Sequence, residues 1–425
     1  MEARRNSTML SWVSDLRAEL SLSRQEVAIF AAKALRVFAY SFISIVLPVY
    51  LLELGYPVLV VGVISSLAIG SAAAYNLVAS RYADIFGRRK LLVILALLTA
   101  VSGVMFATGS GIAAFVLAAI VGPISATGTE TGPFMNVETA ALTKFCSDSN
   151  RTITFSAYNF VGYIALSLGA LFSGLPSLLS DSIGSLRVML YAYAAIMLVL
   201  ALIYHRLGNS LELEANNRGA RKLSVEARGR ILHLAALFSL DAFGGGFVVQ
   251  TILTAWFYSV WHLNLGSLAL VFFISGAITA ASIFMAAKVA KRIGLLNTMV
   301  FTHAPSSLFL IAIPFAPSAI AAVVLLFLRQ SISQMDVPAR QSYTMAIVRP
   351  EERVAAGSLT NTPRAVAQAV GPSIASYMLQ FAATTLPFVV GGTMKITYDA
   401  LVFLRFRHVK PPEEVRDSRG AAKKI

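Results

Sequence analysis

Ionisable side chains set inside long apolar stretches are the residues of this sequence that could do chemistry. Arg36, Glu130, Glu138, Asp241, Arg329, Asp336, Arg340, Arg364, Lys395 and Asp399 all fall in such runs. A charge at bilayer depth costs at least about 2.5–3.5 kcal/mol on insertion scales, so these groups must pair, face an interior, or work on an ion or solute. A carboxyl group in an apolar setting has a raised pKa and can carry a proton near neutral pH. On that basis Glu130 is the first candidate proton carrier and Asp241 the second. Arg36 and Arg329 are candidate substrate contacts, and their charge suits an anion.

Other chemistries find no residues. There is no Gly-rich phosphate loop ending in Lys-Ser or Lys-Thr, so ATP is not the expected energy source. No His, Cys or Asp cluster has metal-ligand spacing, and no Gly-x-Ser-x-Gly motif occurs. The single cysteine, Cys146, excludes a disulfide framework within the chain. Neither an enzyme nor a bound cofactor or metal is expected.

The elements that must position these charges are membrane helices. Of 425 residues, 57% are hydrophobic and only 13% charged, and the mean hydropathy is +0.71. A soluble domain carries about a quarter charged residues, and a soluble core cannot hide this much apolar surface. Spanning the hydrocarbon takes roughly 20 apolar residues. Twelve windows qualify: 27–52, 58–79, 91–109, 112–141, 152–175, 187–205, 231–257, 266–287, 295–314, 319–345, 355–380 and 386–404. The expected fold is all-α, with two pseudo-symmetric six-helix bundles at 26–205 and 231–405. A polar linker (206–230) joins them, an N-terminal segment (1–25) precedes them and a basic tail (406–425) follows. The net charge of +14 is assigned to loops rather than to nucleic acid. Loops 53–57, 110–111, 176–186, 258–265, 315–318 and 381–385 lack Lys and Arg, while the alternate loops carry them. The positive-inside rule then puts both termini and the linker in the cytoplasm, with the plasma membrane as the expected location.

The two halves repeat faintly. An offset of 205 sets Arg36 on Asp241, Phe42 on Phe247 and Pro133 on Pro338. In windows five and eleven an offset of 202 sets Ser156 on Ser358, Asn159 on Asn361 and Gly169 on Gly371. Duplication of six helices keeps the halves parallel, as in known secondary transporters.

The loop after window two reads Ser80-Arg-Tyr-Ala-Asp84-Ile-Phe-Gly87-Arg88-Arg89-Lys90. It resembles the signature of the major facilitator superfamily, Gly-x-x-x-Asp-x-x-Gly-Arg-Arg/Lys, with Ser80, Tyr82 and Ile85 as departures. A worn copy, Ala287 to Gly294, follows window eight. The resemblance implies alternating access by two rocking halves. Helices one, four, seven and ten would line the cavity, and three, six, nine and twelve would be peripheral. It also implies an inner gate containing Asp84, Gly87, Arg88 and Arg89. Gly87 suits a positive φ. Motifs common in drug antiporters of the family are incomplete: window four has no Arg-x-x-Gln-Gly, and a Gly-Pro pair stands in window eleven, at Gly371-Pro372.

Placed on that frame, Arg36 and Asp241 stand at equivalent depth in the two halves. They are either a cavity pair for substrate or proton, or a salt bridge that closes one state. Glu138 reads as a gate hydrogen-bonding group. Arg329, Ser333, Asp336 and Arg340 fall within about 60° on a helical wheel, with Pro338 able to kink the helix there. Asp336, Arg340 and Arg364 read as an inner-gate network. Lys395 and Asp399, spaced i, i+4, read as a structural pair, and His303 as a hydrogen-bonded structural residue.

The expected function is secondary active transport of small organic solutes, as proton-coupled efflux, by a monomer in the bilayer. Proton-linked uptake of a small metabolite, for which the charge of Arg36 and Arg329 suits an anion, is the alternative. A non-transporting receptor or sensor on the same fold is a remote one.

Overall fold

The computed structural model describes residues 23–129, 132–145, 151–179, 182–208, 212, 223–349 and 352–409. Among them there are helices and no strand. The first half holds α1 (Arg24–Glu53), α2 (Val58–Phe86), α3 (Arg88–Thr108), α4 (Ile112–Val121), α5 (Pro133–Phe145), α6 (Arg151–Phe172), the short α7 (Leu175–Leu179) and α8 (Ile183–Leu207). The second half holds α9 (Val225–Gly246), α10 (Gln250–Trp261), α11 (Leu265–Ile293), α12 (Leu295–Ala312), α13 (Ala319–Ser333), α14 (Asp336–Ala346), α15 (Arg353–Phe381) and α16 (Leu386–Phe406). Nine helical stretches among the described residues are long and apolar enough to cross a membrane. All twelve windows contain helix, and windows four, seven and ten are each broken in two.

The breaks follow from local sequence and are stitched by side chains. Between α4 and α5 the chain runs through Gly122-Pro123 and Gly128, whose φ is +69°, to Pro133 at the first position of α5, where a missing N–H costs nothing. A helix end in lipid leaves carbonyls without partners, each a cost of several kcal/mol. Here hydroxyls supply them. Ser102 donates to the Ala118 carbonyl (2.6 Å), Ser71 to Ala119 (2.9 Å), Tyr75 to Val121 (2.7 Å) and Tyr40 to Pro123 (3.0 Å). The break between α9 and α10 follows three glycines, Gly244 to Gly246. The Thr251 N–H at the start of α10 donates to the Ala126 carbonyl in the other break (3.2 Å). In window ten the helix stops at Gln334–Met335, and Pro338 sits in the first turn of α14.

The repeat read from sequence appears in the packing. In the first half α1 packs on α6 and α8, and α3 on α8. In the second half α9 packs on α15 and α16, and α12 on α16. A Cβ at Gly169 would collide with the Phe38 carbonyl of α1. One at Gly371 would lie 3.0 Å from the Phe243 carbonyl of α9 and 2.5 Å from Gly246 Cα. Phe38 and Phe243 are 205 apart, so the same glycine contact recurs in both halves. Gly87 and Gly294, the two loop glycines, both have φ of +89°.

The halves meet along α2–α15 and α6–α11. Toward the end of the bundle without Lys or Arg in its loops, Ser66 Oγ and Ser373 Oγ are 2.8 Å apart, Ser65 donates to Thr251, and Tyr258 bonds Glu53. At the basic end α2 emerges from the packing. Val61 and Ile64 are buried, whereas Leu77, Val78, Tyr82, Ile85 and Phe86 are exposed.

Candidate functional site

The intramembrane charges collect into two clusters, one in each half. In the first, Arg36 of α1 and Glu138 of α5 form a two-pronged pair, with Nη1–Oε1 at 2.8 Å and Nη2–Oε2 at 2.6 Å. Neither side chain is exposed. Tyr204 of α8 donates to Oε1 (2.6 Å) and also bonds Arg36, while Tyr158 of α6 donates to Oε2 (2.5 Å). Each carboxylate oxygen thus has two donors. The Arg36 guanidinium lies over the Phe134 ring and the Lys33 ammonium over the Tyr158 ring. This cluster is saturated and ties four helices together.

The second cluster is larger and less saturated. Its hub is Asp241 of α9, which is buried. Lys395 Nζ of α16 donates to Oδ1 (2.7 Å), and Arg340 Nη1 of α14 to Oδ2 (3.1 Å). Arg364 Nη2 of α15 stands 3.9 Å from Oδ2. Arg340 also meets Asp336 at 3.2 Å. His303 of α12 places Nδ1 3.0 Å from both oxygens of Asp399, with Nε2 3.5 Å from Asp241 Oδ1 and 3.4 Å from Lys395 Nζ. Arg329 of α13 lies within electrostatic reach of Asp241 and Asp336. Tyr163 of α6 lies within reach of Asp336, so the cluster borders the opposite half. The buried Nε atoms of Arg329 and Arg364 have no hydrogen-bond partner, and the Arg364 side chain is 26% exposed.

Neither the Arg36–Asp241 salt bridge, one of the two readings of that pair, nor the Lys395–Asp399 pair forms in this structure. Arg36 and Asp241 do not meet. Arg36 takes Glu138 in its own half and Asp241 takes Arg340 in its own half, so the repeat preserves an ion pair with inverted polarity. Glu138, read from sequence as a gate hydrogen-bonding group, is here the partner of Arg36. Lys395 and Asp399 do not form a mutual pair either. Lys395 reaches Asp241 and Asp399 receives His303, because both partners stand closer than the i, i+4 neighbour. Asp336, Arg340 and Arg364, read as a gate, form one cluster with Asp241. Sequence reasoning left His303 out of the working set; its signal was an ionisable residue at mid-depth of an apolar helix.

Other expected residues lie elsewhere. Gly87 forms the turn between α2 and α3. The backbone N–H groups of Arg88 and Arg89 donate to the linker residue Glu212 (2.9 and 3.2 Å), a carboxylate at a helix N-terminus. Asp84 falls in the last turns of α2, and its side chain lies outside the described residues, as does Glu130 entirely. A cleft of about 420 Å³ between α6 and α11 is lined by Phe160, Tyr163, Ser167 and Phe273 with three alanines and two aliphatic residues. It holds no charged group. No set of His, Cys, Asp and Glu among the described residues could hold a metal ion.

Two helical bundles with broken helices four, seven and ten, and buried charges at mid-depth, define a multi-pass secondary transporter. The description of the Major Facilitator Superfamily matches residues 29–335 and 261–424. The chain belongs to that superfamily: it is a membrane transporter of small molecules and not an enzyme. It is 26% identical over 424 residues to the uncharacterized membrane protein YJR124C of Saccharomyces cerevisiae, covering 90% of this chain and 94% of that one. Its fold is similar to the crystal structure of a point mutant of the nucleoside transporter NupG, with a TM-score of 0.73, 12% identity and coverage of 90% and 100% of the two chains. It is also similar to the crystal structure of a D-xylose-proton symporter, with a TM-score of 0.68, 14% identity and coverage of 89% and 97%.

Proposed function

We propose that this protein is a proton-linked symporter of small organic anions, with Arg329 and Arg364 as the substrate-binding cations. The observation that carries this reading is the excess of positive charge in the second cluster. Among the described residues it joins four cations (Arg329, Arg340, Arg364 and Lys395) to three carboxylates (Asp241, Asp336 and Asp399). Arg340 and Lys395 are committed to carboxylates, while Arg329 and Arg364 each keep a buried donor without a partner. A desolvated donor without a partner costs about 1–3 kcal/mol, and an anion accepting from either would remove that cost. Arg forms two-pronged bonds with carboxylate and phosphate alike, so both headgroups fit.

The sign of the charge also bears on direction. In an antiporter, proton and solute compete for one charge, which suits a cationic solute and a carboxylate. In a cluster that is already cationic, a proton adds to the attraction for an anion, and the two travel together. Efflux by antiport, the direction first read from the sequence, has less support. The bundle supports alternating access, with the halves joined by hydroxyl contacts at the end without basic loops and the basic end of α2 outside the packing. The positive-inside pattern puts the basic end in the cytoplasm, with both termini on that side of the plasma membrane. One chain supplies both halves and the whole cluster, consistent with a monomeric transporter.

Uptake into proteoliposomes under an imposed proton gradient tests this. Labelled carboxylates and phosphate esters should accumulate, and neutral sugars and amines should not. Arg329→Gln and Arg364→Gln should each lower kcat/KM by about 10–100-fold through lost charge-assisted bonds. Accumulation of amines or sugars alone would overturn the assignment of substrate class.

A further inference from the structure

We propose that the coupling proton is loaded on His303, at the junction of α12, α16 and α9, and not on a carboxylate of the cavity-lining helices. The inference rests on the proton-linked reading above and names the site that performs it. Every other buried ion pair described here joins groups that are both charged at neutral pH. His303 is the one group in either cluster whose ordinary pKa lies near neutrality. It is also the one that touches charges of both signs on two different helices.

The groups facing His303 define its two states. From α16 come Asp399, Lys395 and the ring of Tyr398, whose centroid is 5.9 Å away. From α9 comes Asp241, which α14 engages through Arg340, itself paired with Asp336, and which α15 approaches through Arg364. α11 and α13, the remaining neighbours of α12, bring no ion pair to His303 among the described residues. Ionised Asp399 only accepts, so Nδ1–H donates to it. Nε2 is then the free position. In the neutral ring it accepts from Lys395, whose ammonium is shared between Nε2 (3.4 Å) and Asp241 Oδ1 (2.7 Å).

A proton added at Nε2 reverses that arrangement. Nε2–H becomes a donor, and the acceptor in front of it is Asp241 Oδ1, 3.5 Å away. The imidazolium and the Lys395 ammonium then repel one another and compete for the same oxygen. The tie from α9 to α16 weakens and a tie from α9 to α12 replaces it. α9 is half of a broken helix and ends at Gly244 to Gly246, so a change in what holds Asp241 reaches the break directly. The added charge also raises the attraction for an anion at Arg364 and Arg329. Proton and anion thus favour each other's binding through Asp241, and by linkage the effect is reciprocal.

Two transport modes separate this site from a structural one. Gradient-driven accumulation needs the proton, whereas exchange of labelled for unlabelled anion at equal pH does not. His303→Gln and Asp399→Asn should lower accumulation by about tenfold or more, the size of a typical coupling, and leave exchange at saturating anion within about twofold to threefold. Asp399→Glu should restore accumulation. If His303→Gln accumulates substrate like the wild type, or loses exchange and accumulation in equal proportion, the proposal is overturned. If the wild type itself shows no gradient-driven accumulation, it is the proton-linked reading that fails. A second measurement needs no change at the site. The chain has five histidines, and the other four (His205, His233, His262 and His408) are exposed. With those four replaced, the ¹⁵N resonances of His303 should titrate, and saturating anion should shift the midpoint upward. A ring that keeps one protonation state from about pH 5 to 9, a range that spans the ordinary imidazole pKa, with and without anion, would also overturn it.

Discussion

Arg36 and Glu138 illustrate how a charge survives in this bundle. Each has no exposed surface, and every oxygen of the carboxylate is used. Removing one member of such a pair leaves an uncompensated buried charge and costs about 3–5 kcal/mol, whereas replacing both by apolar residues is often neutral. Arg36→Met and Glu138→Leu should therefore each lower the melting temperature in detergent sharply, and the double variant should recover most of the loss. A double variant as unstable as the two losses summed would show that the pair does more than neutralise itself. At this scale the sequence was partly legible. Arg36, Asp241, Arg340 and Arg364 were visible as charges in apolar runs. Their partners were not, since i, i+4 spacing only offers a contact. Asp336 and Arg340 take that offer. Lys395 and Asp399 have the same spacing and decline it, because Asp241 and His303 on other helices stand closer. Tertiary distance decided, and one sequence carries no such distances.

The broken helices set the next scale. The windows gave twelve helices of the right length, and Pro338 pointed to a kink in the tenth, but the breaks at Gly122-Pro123 and after Gly244 to Gly246 were read as continuous helix. What the windows could not indicate was how a break is tolerated at membrane depth. The answer is a set of hydroxyls on neighbouring helices, each aimed at a carbonyl in or just past the last turn of α4. Tyr75, which reaches Val121 from α2, offers a test. Tyr75→Phe should cost about 1–3 kcal/mol, the penalty for a buried acceptor left without a donor. Hydrogen exchange should also quicken in the last turn of α4 and stay unchanged in α8. Equal exchange in both variants would mean that water or another donor serves that carbonyl. The repeat was readable at this scale too. The offset that aligned Gly169 with Gly371 corresponds to the same glycine-on-carbonyl contact in both halves.

For the whole molecule, the claim is that two halves rock about a charged centre. The closed end offers a direct handle on that motion. Ser66 and Ser373 face one another across α2 and α15, with their hydroxyls 2.8 Å apart. In a background with Cys146 replaced, cysteines at these two positions should form a disulfide on oxidation. Transport should stop, and reduction should restore it, because the end without basic loops could no longer open. Undiminished transport by the fully crosslinked protein would exclude rocking about this contact. The net charge of +14 and its confinement to alternate loops had pointed to a fixed orientation. The excess of cations at the core was not visible in that figure, since it depends on which side chains turn inward.

The most direct test of the account is to watch the proton itself. Purified protein in liposomes with a pH-sensitive dye inside would be given organic anions at equal pH on both sides. Symport predicts that each carried anion acidifies the interior, that amines do not, and that Arg364→Gln weakens the signal. An interior that turns alkaline would show exchange of proton for solute, and labelled anion entering with no pH change would remove the proton from the mechanism. Either result would contradict the reading of the Asp241 cluster as a joint site for proton and anion.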